Sequence, residues 1–168
     1  FSARVSGATT PLPLSSSTRP LDFMAPWVVD PLVARFGLIY DISDFTETVS
    51  LLRRSGALEQ DRSFRMLFRF QRRVNRLASQ HKAKLEKYLG DGAFYSSREA
   101  HHLLVLAMQI QRAYREALAK GFPFSNGLRI ALNHGQYRLL PIQIGGKEEG
   151  GDRYEFFGHG VVELTRLT

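Results

Sequence analysis

Cysteine is absent from the 168 residues of this chain. That excludes a disulfide framework, thiolate catalysis and cysteine-ligated zinc, and it fits a reducing cytoplasm. No apolar run approaches the ~20 residues that a membrane-spanning helix needs. There is no Walker-type phosphate loop and no nucleophile elbow of the serine hydrolases. The Gly145-Gly146 and Gly150-Gly151 pairs read as loop flexibility. His81, His134 and His159 share no metal-ligand spacing; His101-His102 opens a helix and reads as surface, and His134 reads as part of a tight turn with Gly135. No internal repeat is visible.

What is present is an uneven charge. The net charge is +7, yet the stretch from Arg53 to Lys87 holds eleven Lys/Arg against three acids, a local +8, so the remainder sums to −1. One basic segment therefore makes the whole chain basic. Arg62, Arg65, Arg69, Arg72 and Arg76 recur at helical spacing, roughly opposite Leu67, Phe70, Val74 and Leu77. No aromatic platform interleaves with these arginines. A solvated helix face is favoured over a DNA or RNA surface.

Residues 1–20 are rich in Ser, Thr, Pro and Gly and read as a flexible leader. Residues 21–35, with Trp27, Val28 and Val29, read as an arm that packs on the domain or on a partner. Residues 36–168 form the domain, of a length that supports a real core. Its elements are a strand over 36–42, a helix capped by Asp44 or Thr46 and ended by Gly56, and a long helix over 61–80. A hairpin over 83–89 and 93–96 turns at Gly90-Asp91-Gly92. A helix capped by Ser96 or Ser97 follows, with Leu103, Ala107, Ile110, Tyr114 and Ala117 as its buried stripe. A second hairpin over 128–133 and 136–144 turns at His134-Gly135. Residues 145–152 are a polar excursion, 154–157 a short strand, and 161–168 a final helix. This order predicts an α+β fold with a ferredoxin-like βαββαβ core and a mostly antiparallel sheet.

Two acidic turns carry the chemistry. Leu38-Ile39-Tyr40-Asp41-Ile42-Ser43-Asp44-Phe45-Thr46 and Lys87-Tyr88-Leu89-Gly90-Asp91-Gly92 each place an aspartate where an apolar run stops. On neighbouring strands, Asp41 and Asp91 would meet at one sheet edge. Paired carboxylates repel unless compensated, and a hard divalent cation with oxygen ligands is the usual compensation. The plain alternative is a helix cap at Asp41 and a hairpin aspartate at position 91.

These segments resemble the class III nucleotide cyclase (adenylate/guanylate cyclase) homology domain. In that family a strand ends near Phe-x-Asp-Ile-x-Gly-Phe-Thr and a hairpin reads Lys-x-Ile-Gly-Asp. Leu128-Arg129-Ile130-Ala131-Leu132-Asn133-His134-Gly135 is similar to the family's Arg-Ile-Gly-Ile-His-x-Gly strand. The run from Tyr154 to Leu167 is similar to Tyr-Asp-x-x-Gly-x-x-Val-Asn-x-Ala-x-Arg-Leu. The resemblance covers Phe36 to the end of the sequence, and four motifs fall in order; the family's fold normally continues beyond the last helix.

The resemblance implies a cyclase working as a homodimer with two Mg²⁺ or Mn²⁺ ions, converting a nucleoside triphosphate to a 3′,5′-cyclic nucleotide and pyrophosphate. It makes Asp41, Asp91 and the carbonyl of Ile42 metal ligands, Lys87 and Glu155 base readers, Arg129 a phosphate contact and Arg166 the transition-state arginine. Lys87 points to ATP, because guanylate cyclases usually carry Glu there. Glu155 replaces the family's Asp with a longer arm, which leaves room for a smaller base, down to a pyrimidine. Alone, Lys87 reads as a solvated strand residue, Glu155 as a partner of Arg153 or another exposed cation, and Arg166 as an exposed helix residue. Two departures matter. Asp44 stands where the family has Gly, adding a carboxylate. Val162 stands where the family has the ribose-orienting Asn, with His159 or Asn133 as the available substitutes. A degenerate domain that binds nucleotide or dimerises without turnover is the alternative expectation.

Overall fold

A computed structural model describes residues 32–142 and 153–167. The leader, most of the arm and the Gly-rich excursion lie outside the described residues. The chain runs β1 (Leu32–Ile42), α1 (Phe45–Arg54), α2 (Ala57–Gln80), β2 (Lys84–Tyr88), β3 (Ala93–Ser97), α3 (Ala100–Leu118), β4 (Leu128–Ile142), β5 (Arg153–Phe157) and α4 (His159–Leu167). The strands form one sheet in the order β2-β3-β1-β4-β5. Every pairing is antiparallel. The first four strands with their helices have the expected ferredoxin-like arrangement, and β5 extends it beside β4.

The central strand explains its own composition. Leu38, Tyr40 and Ile42 pack into a core with α2 and α3, while Ile39 faces the opposite core under α4 with Phe94, Ala131, Tyr137 and Leu164. A strand covered on both faces needs a continuous apolar run, and 38–40 and 42 are all essentially buried. Each such Leu or Ile contributes about 1.5–3 kcal/mol relative to exposure. The buried stripes are Leu67, Phe70, Val74 and Ala78 on α2, and Leu103, Leu106, Ile110, Ala113 and Tyr114 on α3. Ala107 and Ala117, read as part of the α3 stripe, are only partly buried at its rim.

Several boundaries differ from the sequence reading. The predicted second hairpin at His134-Gly135 does not exist. Leu128–Ile142 is one strand, paired with β1 over 128–138, with Phe36 opposite His134 and Arg35 opposite Gly135, and with β5 over 138–142. Gly135 serves packing instead of a turn: a Cβ there would lie 3.2 Å from the Cα of Gly160 in α4. The long β4 also draws β1 back to Leu32, whose partner is Arg138. Helix α2 begins at Ala57, directly after Gly56 at φ 109°. Neither predicted cap acts through its side chain as expected. Asp44 stands at the N-cap of α1 in a left-handed conformation, φ 54°, and makes no side-chain cap bond. Its carbonyl instead accepts from the Thr48 amide and hydroxyl, both at 3.0 Å. The N-cap of α3 is Glu99, whose N–H donates to Ser97 Oγ at 3.2 Å.

Candidate active site

Glycine brings the two aspartates together. Gly90 adopts φ +87°, where an L side chain is strained. Its carbonyl accepts from Gln71 Nε2 at 2.6 Å, which ties the β2–β3 turn to α2. A Cβ on Gly92 would lie 2.0 Å from the carbonyl oxygen of Tyr40 and 3.2 Å from Cα of Asp41. Backbone thus rests on backbone, and Asp91 is delivered to the end of β1. Asp91 Oδ2 accepts from the Ile42 N–H at 3.3 Å. The Asp91 carboxyl lies beside that of Asp41, and both line one cavity. Partial burial, followed by this contact and the Asp41 charge, pushes Asp91 up to about 6.

Arg129 sits directly opposite Asp41 in the β1–β4 register and forms an ion pair with it. A shallow cavity of about 350 Å³ opens over the cluster, with Asp41, Ile42, Asp44, Glu47, Asp91 and Arg129 among its lining residues. Behind it, Ser43 N–H donates to the Gly127 carbonyl at 3.0 Å. Gly127 N–H donates to the Tyr114 hydroxyl at 3.1 Å, and that hydroxyl donates to the Phe124 carbonyl at 2.8 Å. These bonds hold the entry to β4 against the end of β1. The donor set is entirely oxygen, and a carboxyl raised by its neighbour is relieved by added positive charge. Both properties fit a hard divalent cation.

Lys87 and Glu155 lie elsewhere. They belong to β2 and β5, the two outer strands, yet their side chains form an ion pair. Lys84 Nζ lies 5.9 Å from the ring centroid of Phe156 on the same two strands. The sheet therefore curls until its edges approach each other. Neither Lys87 nor Glu155 lines the carboxylate cavity.

Arg166 is exposed on α4, one turn beyond Val162, so the two share a helix face. Val162 is 47% exposed. The candidate substitutes for the family's asparagine are committed to other partners. Asn133 Nδ2 donates to the Gly160 carbonyl at 2.9 Å, and its Oδ1 accepts from the Tyr137 hydroxyl at 2.5 Å. His159 Nδ1 lies 3.1 Å from Glu163 one turn along α4. Asn133 thus anchors α4 to the sheet.

The arginine stripe borders a larger groove of about 840 Å³ between α2 and α3. There Arg62, Arg65 and Arg73 pair with Glu59, Asp61 and Glu116 at 3.9, 2.7 and 2.5 Å. Neutralised pairs over an apolar floor do not converge on a reacting centre, whereas the smaller carboxylate cavity does. Glu47 and Gln71 were not singled out by sequence reasoning. Glu47 lies one helical turn after Asp44, which was a usable signal; nothing local marks Gln71.

No protein-family model matches the sequence, and no curated protein is similar to it. Solved structures are. The guanylyl cyclase Cya2 matches with a TM-score of 0.64 at 18% identity, over 82% of this chain and 70% of that one. The adenylyl cyclase CyaB from P. aeruginosa matches with a TM-score of 0.62 at 13% identity, over 82% and 72%. The chain has the fold of nucleotide cyclase catalytic domains. A non-canonical dimeric guanylyl cyclase domain of the RhoGC fusion protein from the aquatic fungus Blastocladiella emersonii shares this cyclase fold at a TM-score of 0.58 and 15% identity, over 81% and 74%. Among the described residues, no helix of the cyclase fold here is long and apolar enough to cross a membrane.

Proposed function

We propose that this domain is a cytoplasmic nucleotide cyclase that acts as a homodimer, converting a nucleoside triphosphate, foremost ATP, to its 3′,5′-cyclic nucleotide and pyrophosphate. The observation that carries this reading is the convergence of Asp41 and Asp91 on one cavity beside the Ile42 backbone. Asp41, Asp91 and the Ile42 carbonyl would hold two Mg²⁺ or Mn²⁺ ions. When bound, such ions supply charge for the triphosphate and acidify the attacking 3′-hydroxyl. The guanidinium of Arg129 can exchange Asp41 for phosphate oxygens, which its fork meets in pairs. Lys87 and Glu155 set a donor beside an acceptor, matching the ring nitrogen and amino group of adenine. Cytosine presents the same pair on a smaller ring. Their separation from the carboxylate cavity supports a site assembled from two copies: Asp41, Asp91 and Arg129 from one, and Lys87, Glu155 and Arg166 from the other.

The test is incubation with each of the four nucleoside triphosphates and Mn²⁺ or Mg²⁺. A cyclic product is expected from ATP; none from any of the four overturns the proposal. Asp41→Ala abolishes that activity, and Arg53→Ala, on α1 outside the cavity, leaves it unchanged.

A second reading rests on Val162. The α4 face that carries Arg166 presents an apolar side chain where a hydrogen-bonding one is needed, and Asn133 and His159 are engaged elsewhere. A domain of this kind binds a triphosphate or dimerises without turnover. Calorimetric binding in the absence of product supports this second reading over the first.

A further inference from the structure

We propose that Glu99, His101 and His102 form a separate transition-metal site at the start of α3. One ligand atom from each lies within 4.8 Å of the others. His101 Nδ1 is 3.3 Å from Glu99 Oε2, and the two imidazole rings lie 4.1 Å apart between centroids. Tetrahedral coordination with bonds of ~2.1 Å needs donors roughly 3.4 Å apart. Rotation of the exposed Glu99 and His101 side chains closes that gap.

The half-buried His102 is already oriented. Its Nδ1 is 3.0 Å from Ser97 Oγ. With Nδ1–H donating to that oxygen, the Nε2 lone pair is free for a metal, the usual outer-shell arrangement for a ligating histidine. Ser97 Oγ also accepts the Glu99 N–H at 3.2 Å, so one hydroxyl positions two of the three ligands.

The donors choose the metal. Two imidazoles and one carboxylate suit Zn²⁺ and its first-row neighbours, whereas Mg²⁺ prefers an all-oxygen set. The adjoining cavity of about 470 Å³ is lined by Arg35, Lys82, Lys84 and Arg98 together with Glu86, Glu99 and His102, and Glu86 offsets Lys84 at 2.9 Å. The site is distinct from the all-oxygen cluster at Asp41 and Asp91, which favours the opposite class of cation. Occupancy would cross-link the residue before α3 to its first turn.

The experiment uses the full chain carrying Asp41→Asn and Asp91→Asn, so that the carboxylate cluster does not contribute. Zn²⁺ is titrated by calorimetry, and Co²⁺ by its visible absorption, with Zn²⁺ as competitor. One Zn²⁺ per chain is expected, with no competition from a large excess of Mg²⁺. His101→Ala or His102→Ala abolishes the Co²⁺ band, and Ser97→Ala weakens binding roughly tenfold. Zn²⁺ also raises the melting temperature only in chains that keep both histidines. Absent Zn²⁺ binding, or binding unchanged in His101→Ala, overturns the proposal. Because His101 is exposed, that variant folds even if the His102 variant does not.

Discussion

Gly92 rests against the backbone of Tyr40 so closely that a Cβ would reach within 2.0 Å of the Tyr40 carbonyl oxygen. Ala93 faces Tyr40 in the β1–β3 register, so the pleat leaves no room there for a side chain. The proximity of Asp91 to Asp41 follows from this contact. Gly92→Ala must push the turn outward. We expect a loss of about 1–3 kcal/mol in stability, typical of overpacking against a rigid neighbour. Mn²⁺ affinity at the carboxylates should fall as well, which titration followed by Mn²⁺ paramagnetic resonance would register. Unchanged affinity would mean that the aspartates do not act together.

Asp91 gives the stability curve a direction. Its folded carboxyl is raised from the ordinary 3.8 to about 6 by burial and by Asp41. The folded state thus binds its proton more tightly than the unfolded state. The resulting stabilisation is complete below about pH 3.8 and is lost as pH rises through about 6. At pH 7.5 Asp91→Asn should therefore raise the melting temperature, since Asn keeps an acceptor for the Ile42 N–H without the charge. Near pH 4 the variant and the parent should differ little. Mg²⁺ or Mn²⁺ should stabilise the parent at pH 7.5 and do so much less in the variant. Melting curves at both pH values, with and without metal, check this.

The ion pair between Lys87 and Glu155 marks the proposed base pocket. Hydrogen bonds to charged groups are worth about 1.5–3 kcal/mol. Lys87→Ala should lower kcat/KM for the preferred triphosphate by roughly 10- to 100-fold. Discrimination among the four bases should fall with it, while the lost pair costs little stability because both partners are substantially exposed. Steady-state kinetics with all four triphosphates separates these effects.

Val162 offers the sharpest division between a working and an abandoned site. It is half exposed, so Val162→Asn should fold without penalty. Returning a hydrogen-bonding group one turn before Arg166 should raise kcat by about 100-fold, the usual scale for a positioning contact. KM should move little. A gain identifies a weakened cyclase, and no gain favours the binding-only reading.

Much of the fold was legible in local patterns. The apolar run ending at Asp41 had to be covered on both faces, the α2 stripe followed helical spacing, and Gly90-Asp91-Gly92 announced a turn. The β4 strand was misread because Gly135 looks the same in sequence whether it bends the chain or admits Gly160 of α4 beside it. Asp44 was read correctly as the N-cap of α1, although it acts through its carbonyl. The α3 cap was misread, because Ser97 Oγ accepts from the N–H of Glu99, the residue that holds the N-cap.

By itself, the sequence determined the element types, the two acidic turns and the absence of a hydrogen-bonding residue at position 162, since these depend on residue identity and near-neighbour periodicity. Only the tertiary structure decided that Arg129 faces Asp41, that Lys87 meets Glu155 across the outer strands, and that Asn133 is spent on holding α4. Those relationships come from strand register and sheet curvature, which are set by contacts between residues far apart in the chain and leave no local trace.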